Sequence, residues 1–285
     1  MFAVQYRSRM RGSPPAATLA ARFDTMPELN VHFRPASVTA KELAGSVVVV
    51  IDLLRASSTI CQALASGAEC VMPFLEVDDA RRAAKQYPRG SVVLGGERHG
   101  KIIEGFDLDN SPLEYTPATV AGKRVLFTTT NGTRALDHAR LARRTLIGCA
   151  LNRRAIAAAI TEQPRVDILC AGTDGIVTAE DVLAAGAIVH ALAEADRPLT
   201  MSTVIYYRFD AGAQTSIARW HDLLQDARTN GRTPAEQLAS AMRDAPGGRN
   251  LLEIGHDADL PACAVLDALA VVPELNRATG EIRPA

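Results

Sequence analysis

Aromatic side chains are scarce in this chain of 285 residues. Phe, Trp and Tyr together make 5%, with one Trp. No basic stretch interleaves with them, which argues against a stacking surface for single-stranded nucleic acid. Charge of one sign is lacking too. The 31 Lys and Arg face 32 Asp and Glu, a formal net charge of -1, so no global field draws nucleic acid or an anionic membrane. No apolar run approaches the ~20 residues that a membrane span needs. The five cysteines, Cys61, Cys70, Cys149, Cys170 and Cys263, are scattered, odd in number and without C-x-x-C spacing. They form neither a disulfide framework nor a zinc motif, and they fit small core thiols in a reducing, cytoplasmic compartment.

What the chain does contain is an ordinary globular composition, 47% apolar and 22% charged, enough for one large or two small domains. Residues 1–26 stand apart. Arg7, Arg9, Arg11 and Arg22 precede the first acid, Asp24, and Gly12-Ser13-Pro14-Pro15 breaks any helix. A targeting peptide can look like this, but the apolar region of a secretory signal is missing. The expectation is a disordered tail or an upstream extension of a protein that starts at Met26, followed by a single α/β domain over 27–285.

One stretch organises that domain. The near-continuous apolar run Val47 to Leu54, broken by Asp52, suits a parallel strand covered on both faces. The loop Arg55-Ala56-Ser57-Ser58 follows, Thr59 reads as a helix N-cap, and Gly67 stops the helix. Strand, polar loop with an Arg, helix N-terminus: this arrangement holds an anion through free N–H groups, hydroxyls and a guanidinium fork. An ordinary strand–helix junction has the same ingredients. Repetition favours the functional reading. Arg124–Phe127 leads into Thr128-Thr-Thr-Asn-Gly-Thr-Arg134 and a helix from about Thr133 to Arg143. Val166–Cys170 leads into Ala171-Gly-Thr-Asp-Gly175 and a helix capped by Thr178, closed like the first by Gly-Ala.

Between and around these units, Leu29–Phe33, Cys70–Leu75, Ser91–Leu94 and Thr145–Cys149 read as strands. Val77–Gln86, Arg153–Thr161 (capped by Asn152), Ala211–Asp226 and Pro234–Arg243 read as helices. Val271-Val-Pro273 resembles a closing strand before a polar tail. Residues 100–118 form a long loop whose Phe106, Leu108 and Leu113 argue for order. Strand–loop–helix units imply parallel strands with crossover helices, and ligands of such sheets sit at the carboxyl ends of the strands.

Gathered there, the loops offer Asp52, Arg55, Ser57, Ser58, Thr59, Glu97, His99, Thr128 to Arg134, Asp174, Glu180 and Asp181. Hydroxyls, amides and two arginines suit a phosphate, and carboxylates beside a phosphate suit Mg²⁺. The reaction class is Mg²⁺-assisted phosphoryl transfer or hydrolysis. Sharper motifs fail. Gly95-Gly-Glu-Arg-His-Gly-Lys101 matches a P-loop, but Ile102 stands where Ser or Thr would ligate Mg²⁺. Asp107-Leu-Asp109 lacks the buried strand that precedes an aspartyl-phosphate nucleophile. His99, in its Gly-flanked loop, is the best general-acid candidate among the six histidines, with a plain surface histidine as the alternative.

Ile51-Asp-Leu-Leu-Arg-Ala-Ser-Ser-Thr59, Gly95-Gly-Glu-Arg98, Gly105-Phe-Asp-Leu-Asp-Asn-Ser-Pro112, Thr128–Arg134 and Ala171-Gly-Thr173 with Glu180-Asp181 together resemble the 2-phosphosulfolactate phosphatase family, in its order and spacing. The resemblance spans about residues 28–273, and at Asp109 the family pattern has Gly. It implies a three-layer α/β/α fold and Mg²⁺-dependent hydrolysis of (2R)-2-phospho-3-sulfolactate to 3-sulfolactate and phosphate, a step of coenzyme M biosynthesis. Phosphate, sulfonate and carboxylate on one substrate would explain two arginines and many neutral donors. On this resemblance Asp52 becomes a Mg²⁺ ligand or general base. Arg55, Ser57, Ser58 and Thr59 hold phosphate, and Thr130, Asn131, Gly132, Thr133 and Arg134 hold phosphate or sulfonate. Glu97, Glu180 and Asp181 are further metal candidates, the last two equally explained by favourable placement in a helix first turn. A homodimer is the family-level expectation. A phosphatase for another small phosphorylated acid, and a non-catalytic sensor of such a metabolite, remain as alternatives.

Overall fold

The computed structural model describes residues 26–195 and 207–285. The expectation for the N-terminal extension therefore falls, but for Met26, outside the described residues. In chain order the elements are β1 (Glu28–His32), β2 (Val47–Ile51), α1 (Ala56–Ala65), β3 (Cys70–Pro73), α2 (Val77–Ala84), β4 (Val92–Arg98), β5 (Lys101–Ile102), α3 (Pro117–Val120), β6 (Arg124–Thr128), α4 (Gly132–His138) and β7 (Arg144–Ile147). They continue with α5 (Arg153–Ile160), β8 (Arg165–Cys170), α6 (Ala179–Ala195), β9 (Arg208–Phe209), α7 (Ala211–Thr229), α8 (Pro234–Asp244), α9 (Pro246–Glu253), α10 (Asp259–Ala264), β10 (Pro273–Asn276) and β11 (Glu281–Pro284).

The strands form one mixed sheet in the order β5-β4-β6-β3-β11-β10-β7-β2-β8-β1-β9, covered by helices in a three-layer α/β/α arrangement. Two parallel blocks make up most of it. In one, β4, β6 and β3 pair in parallel; in the other, β7, β2, β8, β1 and β9 do. The antiparallel hairpin β10–β11 bridges them, touching β7 through Glu274↔Leu146 and β3 through Ile282↔Val71. Ile282 is fully buried in that seam, so the tail read as merely polar carries a structural strand. The carboxyl ends of β2 and β8 from one block, and of β4 and β6 from the other, thus feed loops toward a common cleft.

Local sequence explains the central strands. Every residue of β2, Val-Val-Val-Val-Ile, is buried, because helices close both faces of a parallel sheet. Strand β4 runs on through Gly95 and Gly96 to Arg98 instead of stopping at Leu94. A Cβ at Gly96 would stand 1.9 Å from the Thr128 carbonyl oxygen, and its φ is +134°, so only glycine permits this contact with β6. Of the two glycines that mimic a P-loop, Gly95 is therefore a strand residue and Gly100 lies in the turn between β4 and β5.

Several expected boundaries move. Helix α1 begins at Ala56 with Arg55 at the N-cap, and Thr59 lies inside it. Asn152 does not cap α5 with its side chain: its Oδ1 accepts the Cys149 N–H at 2.9 Å, and its amide donates to the Ile147 and Val271 carbonyls. Helix α6 does not close at Gly186 but continues to Ala195. There the glycine serves packing: a Cβ would stand 2.1 Å from the Ser216 carbonyl oxygen of α7. Gly247 and Gly248 lie buried within α9.

Candidate functional site

The four loops enclose a cleft of about 70 Å³ lined by Asp52, Leu54, Arg55, Glu97, His99, Gly100, Asn110, Thr130, Asn131, Thr173 and Asp174, with Gly247, Asn250 and Leu251 of α9 on the remaining side. His99 (φ 53°) and Asp174 (φ 50°) both hold the left-handed conformation that non-glycine residues rarely adopt. Such backbone strain concentrates at functional sites.

Carboxylates cluster in and behind the cleft. Asp52 follows β2, and its Oδ1 accepts the Ala56 N–H at 3.4 Å. Burial pushes its carboxyl well above the ordinary range, and the charges of Asp181, Glu97 and Glu180 push it further. Asp181, in the first turn of α6, accepts the Leu53 N–H at 2.8 Å and the Gly172 N–H at 3.0 Å. Burial raises it to about 6 despite those bonds. Glu180 is raised to about 7 by burial and by Asp181, and its Oε2 has no hydrogen-bond partner. Glu97 accepts the Thr130 N–H at 2.7 Å on Oε1, and the Gly100 N–H at 2.7 Å and the Thr130 hydroxyl at 3.1 Å on Oε2. This ties the end of β4 to the loop after β6.

The residues expected to hold phosphate divide. Thr130 and Asn131 line the cleft, and Asn131 Oδ1 accepts the Asp174 N–H at 3.2 Å, joining two loops. Gly132 packs directly behind Asp52. The hydroxyls of the first loop turn inward. Ser57 Oγ accepts the Asp52 N–H at 2.9 Å, Ser58 Oγ donates to the Leu53 carbonyl at 2.9 Å, and Thr59 Oγ1 donates to the Asn110 carbonyl at 2.7 Å. All three side chains are buried and none lines the cleft. Ser57 and Ser58 thus satisfy backbone groups of the tight β2–α1 turn, and Thr59 ties α1 to the loop at Asn110, so in this structure the three hydroxyls expected to hold phosphate face the backbone and not the cleft. Thr133 is similar, donating to the Thr129 carbonyl at 2.8 Å. Arg134 is exposed and does not line the cleft. Its charge lies close enough to lower the pKa of Arg98, after the larger effect of burial. Glu180 and Asp181 sit behind the cleft wall instead of on it.

Arg55 does line the cleft, but its guanidinium is already engaged. NH1 donates to Asp109 Oδ2 at 3.2 Å and to Asp259 Oδ2 at 2.9 Å, and NH2 to the Gly100 carbonyl at 3.2 Å. The two carboxylates raise its pKa against the opposing effect of burial.

The matching family model, 2-phosphosulpholactate phosphatase, covers residues 32–278. The chain belongs to this family. A protein of Symbiobacterium thermophilum named "Probable 2-phosphosulfolactate phosphatase" is 43% identical over 235 residues, 82% of this chain and 93% of its own length. A Synechococcus sp. (strain CC9605) protein of the same name is 40% identical over 245 residues, 85% and 94% of the two chains. One from Caldanaerobacter subterraneus subsp. tengcongensis, also so named, is 37% identical over 246 residues, 84% and 92%. The 2-phosphosulfolactate phosphatases are phosphoric monoester hydrolases.

Seen on this family fold, sequence reasoning missed two contributors. Helix α9 walls the cleft through Gly247 and Asn250, neither of which sequence reasoning placed at the site. His256 meets Asp109, and Asp259 joins it on Arg55, from a segment almost 150 residues downstream, a juxtaposition no local pattern announces. All five cysteines are free and buried, and among the described residues no helix is long and apolar enough to cross a membrane.

Proposed function

We propose that this chain is a Mg²⁺-dependent phosphatase that hydrolyses (2R)-2-phospho-3-sulfolactate to (2R)-3-sulfolactate and phosphate, a cytoplasmic step of the coenzyme M type, in a protein that forms a homodimer. Kinship with proteins named for that activity supports the substrate. The observation that carries the chemistry is the cluster of Asp52, Glu97, Glu180 and Asp181, in which burial, joined at Asp52 and Glu180 by repulsion from neighbouring carboxylates, holds three carboxyls above their ordinary pKa.

Among the described residues no three His, Cys, Asp or Glu groups stand together as a preformed metal cage. Mg²⁺ does not need one, since it binds through one or two carboxylates plus substrate oxygens and waters. Asp52 and Glu97 line the cleft and would hold it, and the surplus negative charge around Asp52 fits a divalent cation. When bound, Mg²⁺ neutralises phosphoryl oxygens and so makes phosphorus more electrophilic.

The chain's own groups do the rest. Asn131 presents its side-chain amide to the phosphoryl oxygens, Thr130 ties its loop to Glu97 beside it, and Arg55 supplies a fixed positive charge at the cleft wall. A water attacks phosphorus in line with the ester oxygen, the P–O bond to the lactate carbon breaks, and the alkoxide takes a proton. Asp52 accepts the proton of the attacking water. His99 at the cleft mouth donates to the leaving oxygen. Asp181, fixed by two backbone N–H groups, orients Leu53 and so the carboxyl end of β2.

The commitment of Arg55 to Asp109 and Asp259 favours a second reading, a phosphorylated acid with fewer anionic groups than phosphosulfolactate. Phosphate release with Mg²⁺ or EDTA, from phosphosulfolactate beside phosphoglycerate and phospholactate, tests both. Selective release from the sulfonated ester supports the first reading, and release only from the others supports the second. Silence on all, with the protein folded, would leave a binding role.

A further inference from the structure

Arg55 stands between two clefts. On one side it lines the cleft described above. On the other, Asp109 and Asp259 grip its NH1, and both carboxylates are nearly as buried as the guanidinium. Behind them His256, 28% exposed, places Nε2 3.1 Å from Asp109 Oδ2 and Nδ1 3.6 Å from Asp259 Oδ2. The imidazole faces a second, more open cleft of about 600 Å³ that Lys101, Glu114 and Glu253 also line.

Charge and hydrogen bonding leave this network incomplete without the histidine. One guanidinium faces two buried carboxylates, and burying unbalanced charge is costly. Glu114 adds negative charge nearby, accepting the Asp109 N–H at 2.6 Å. Asp259 is fixed independently, because Ser111 Oγ donates to its Oδ1 at 2.5 Å. Asp109 has no such second anchor: among the described residues its Oδ1 lacks a partner, and Arg55 and His256 are the groups that orient the carboxylate. Without a donor on its outer side, Asp109 would draw more fully on the Arg55 fork, at the expense of a ligand in the inner cleft.

We propose that His256 is a positioning residue for Arg55: by bracing Asp109 and Asp259 from the outer cleft, it holds the guanidinium where it can face an anion in the inner one. This rests on the reading of the inner cleft as a phosphate site. His256 itself touches no substrate. Its removal weakens anion binding and leaves turnover nearly intact, whereas a general collapse of the site lowers both. A Gln at 256 keeps an N–H donor within reach of Asp109 and restores the brace.

The test uses the full chain. Sulfate and inorganic phosphate affinity, measured by calorimetry for the wild type, H256A and H256Q, reports on Arg55 without requiring catalysis. Loss of a hydrogen bond to a charged group predicts about tenfold weaker binding in H256A, returning to within about threefold of wild type in H256Q. Where phosphosulfolactate is turned over, KM rises by a similar factor in H256A and kcat stays within about twofold. If H256A fails to fold, H256Q carries the test against D259N, in which one of the two carboxylates is neutralised: Gln is expected to bind near wild type and Asn to bind at least about fivefold differently. Equal affinity in wild type and H256A, or an H256Q as weak as H256A, overturns the inference and leaves the phosphatase reading standing. A wild type that binds neither anion overturns both. Anion binding that follows the predicted order in a protein that releases no phosphate supports the inference and sinks only the catalytic reading.

Discussion

Gly132 stands directly against the Asp52 carboxylate: a Cβ at position 132 would lie 2.9 Å from Asp52 Oδ2 and 2.5 Å from the Ala56 Cβ. The first turn of α4 can approach the end of β2 only because this side chain is absent. Gly132→Ala forces α1 and α4 apart at the point where both strand blocks contribute to the cleft. Overpacking of this kind costs about 1–3 kcal/mol. The expected outcome is a Tm lower by about 2–8 °C together with a fall in kcat of at least about tenfold. Near-wild-type turnover in G132A would show that the Asp52–α4 spacing does not matter for chemistry.

Removing the charge of Asp52 should separate activity from stability. Asp52→Asn keeps the shape, and its amide relieves repulsion from Asp181, Glu97 and Glu180. Loss of a general base or metal ligand lowers kcat by about 10²–10⁴-fold. At pH 8 without Mg²⁺ the same variant should melt higher than the wild type, because a buried like-charge contact is gone. Phosphate-release rates and thermal melts on one preparation check both halves. A D52N that melts lower and remains active contradicts the electrostatic account of the cluster.

The sheet and most of its crossovers were legible because parallel strands buried on both faces write unmistakable runs, as in Val47–Ile51 and Val166–Cys170. The four convergent loops were legible for the same reason, since topology alone sends them to one end. Side-chain direction was not. Ser57, Ser58 and Thr59 have the composition of an anion loop, yet the first two hydroxyls serve backbone groups of the sharp β2–α1 turn and the third bonds the Asn110 carbonyl of another loop. Gly186 has the composition of a helix stop, yet it is a crossing point with α7. Contacts such as Asp109 with His256, or Arg55 with Asp259, depend on long-range closure, which short motifs do not encode.

Helix α9 supplies a third expectation. A Cβ at Gly247 would stand 2.2 Å from Glu180 Oε1, and the Gly247 N–H is one of the donors that restrain Glu180 from an even higher pKa. Gly247→Ala must therefore displace either α9 or the Glu180 carboxylate. Because α9 forms one wall of the cleft, the variant should raise KM by about threefold to tenfold at a cost of about 1–2 kcal/mol in stability. Steady-state kinetics with unchanged KM would indicate that α9 is not part of the substrate wall.

The carboxylate cluster also fixes how stability should respond to pH and to metal. Glu180 is raised to about 7 and Asp181 to about 6, chiefly by burial. In the unfolded chain both ionise near pH 4, so between about pH 4 and 7 the folded state holds protons that the unfolded state has lost. Stability from these groups is therefore fully present below pH 4 and declines as pH rises through 6 and 7. A divalent cation near Asp52 and Glu97 acts in the opposite sense, since it compensates the same negative charge once the protons have gone. Melting curves at pH 5 and pH 8, with EDTA and with millimolar Mg²⁺, should show a metal-free protein that melts several degrees lower at pH 8. The Mg²⁺-dependent rise in Tm should be larger at pH 8 than at pH 5, where protons compete with the metal for the same carboxylates. A Mg²⁺ effect equal at both pH values, or greater at pH 5, would place the cation away from this cluster.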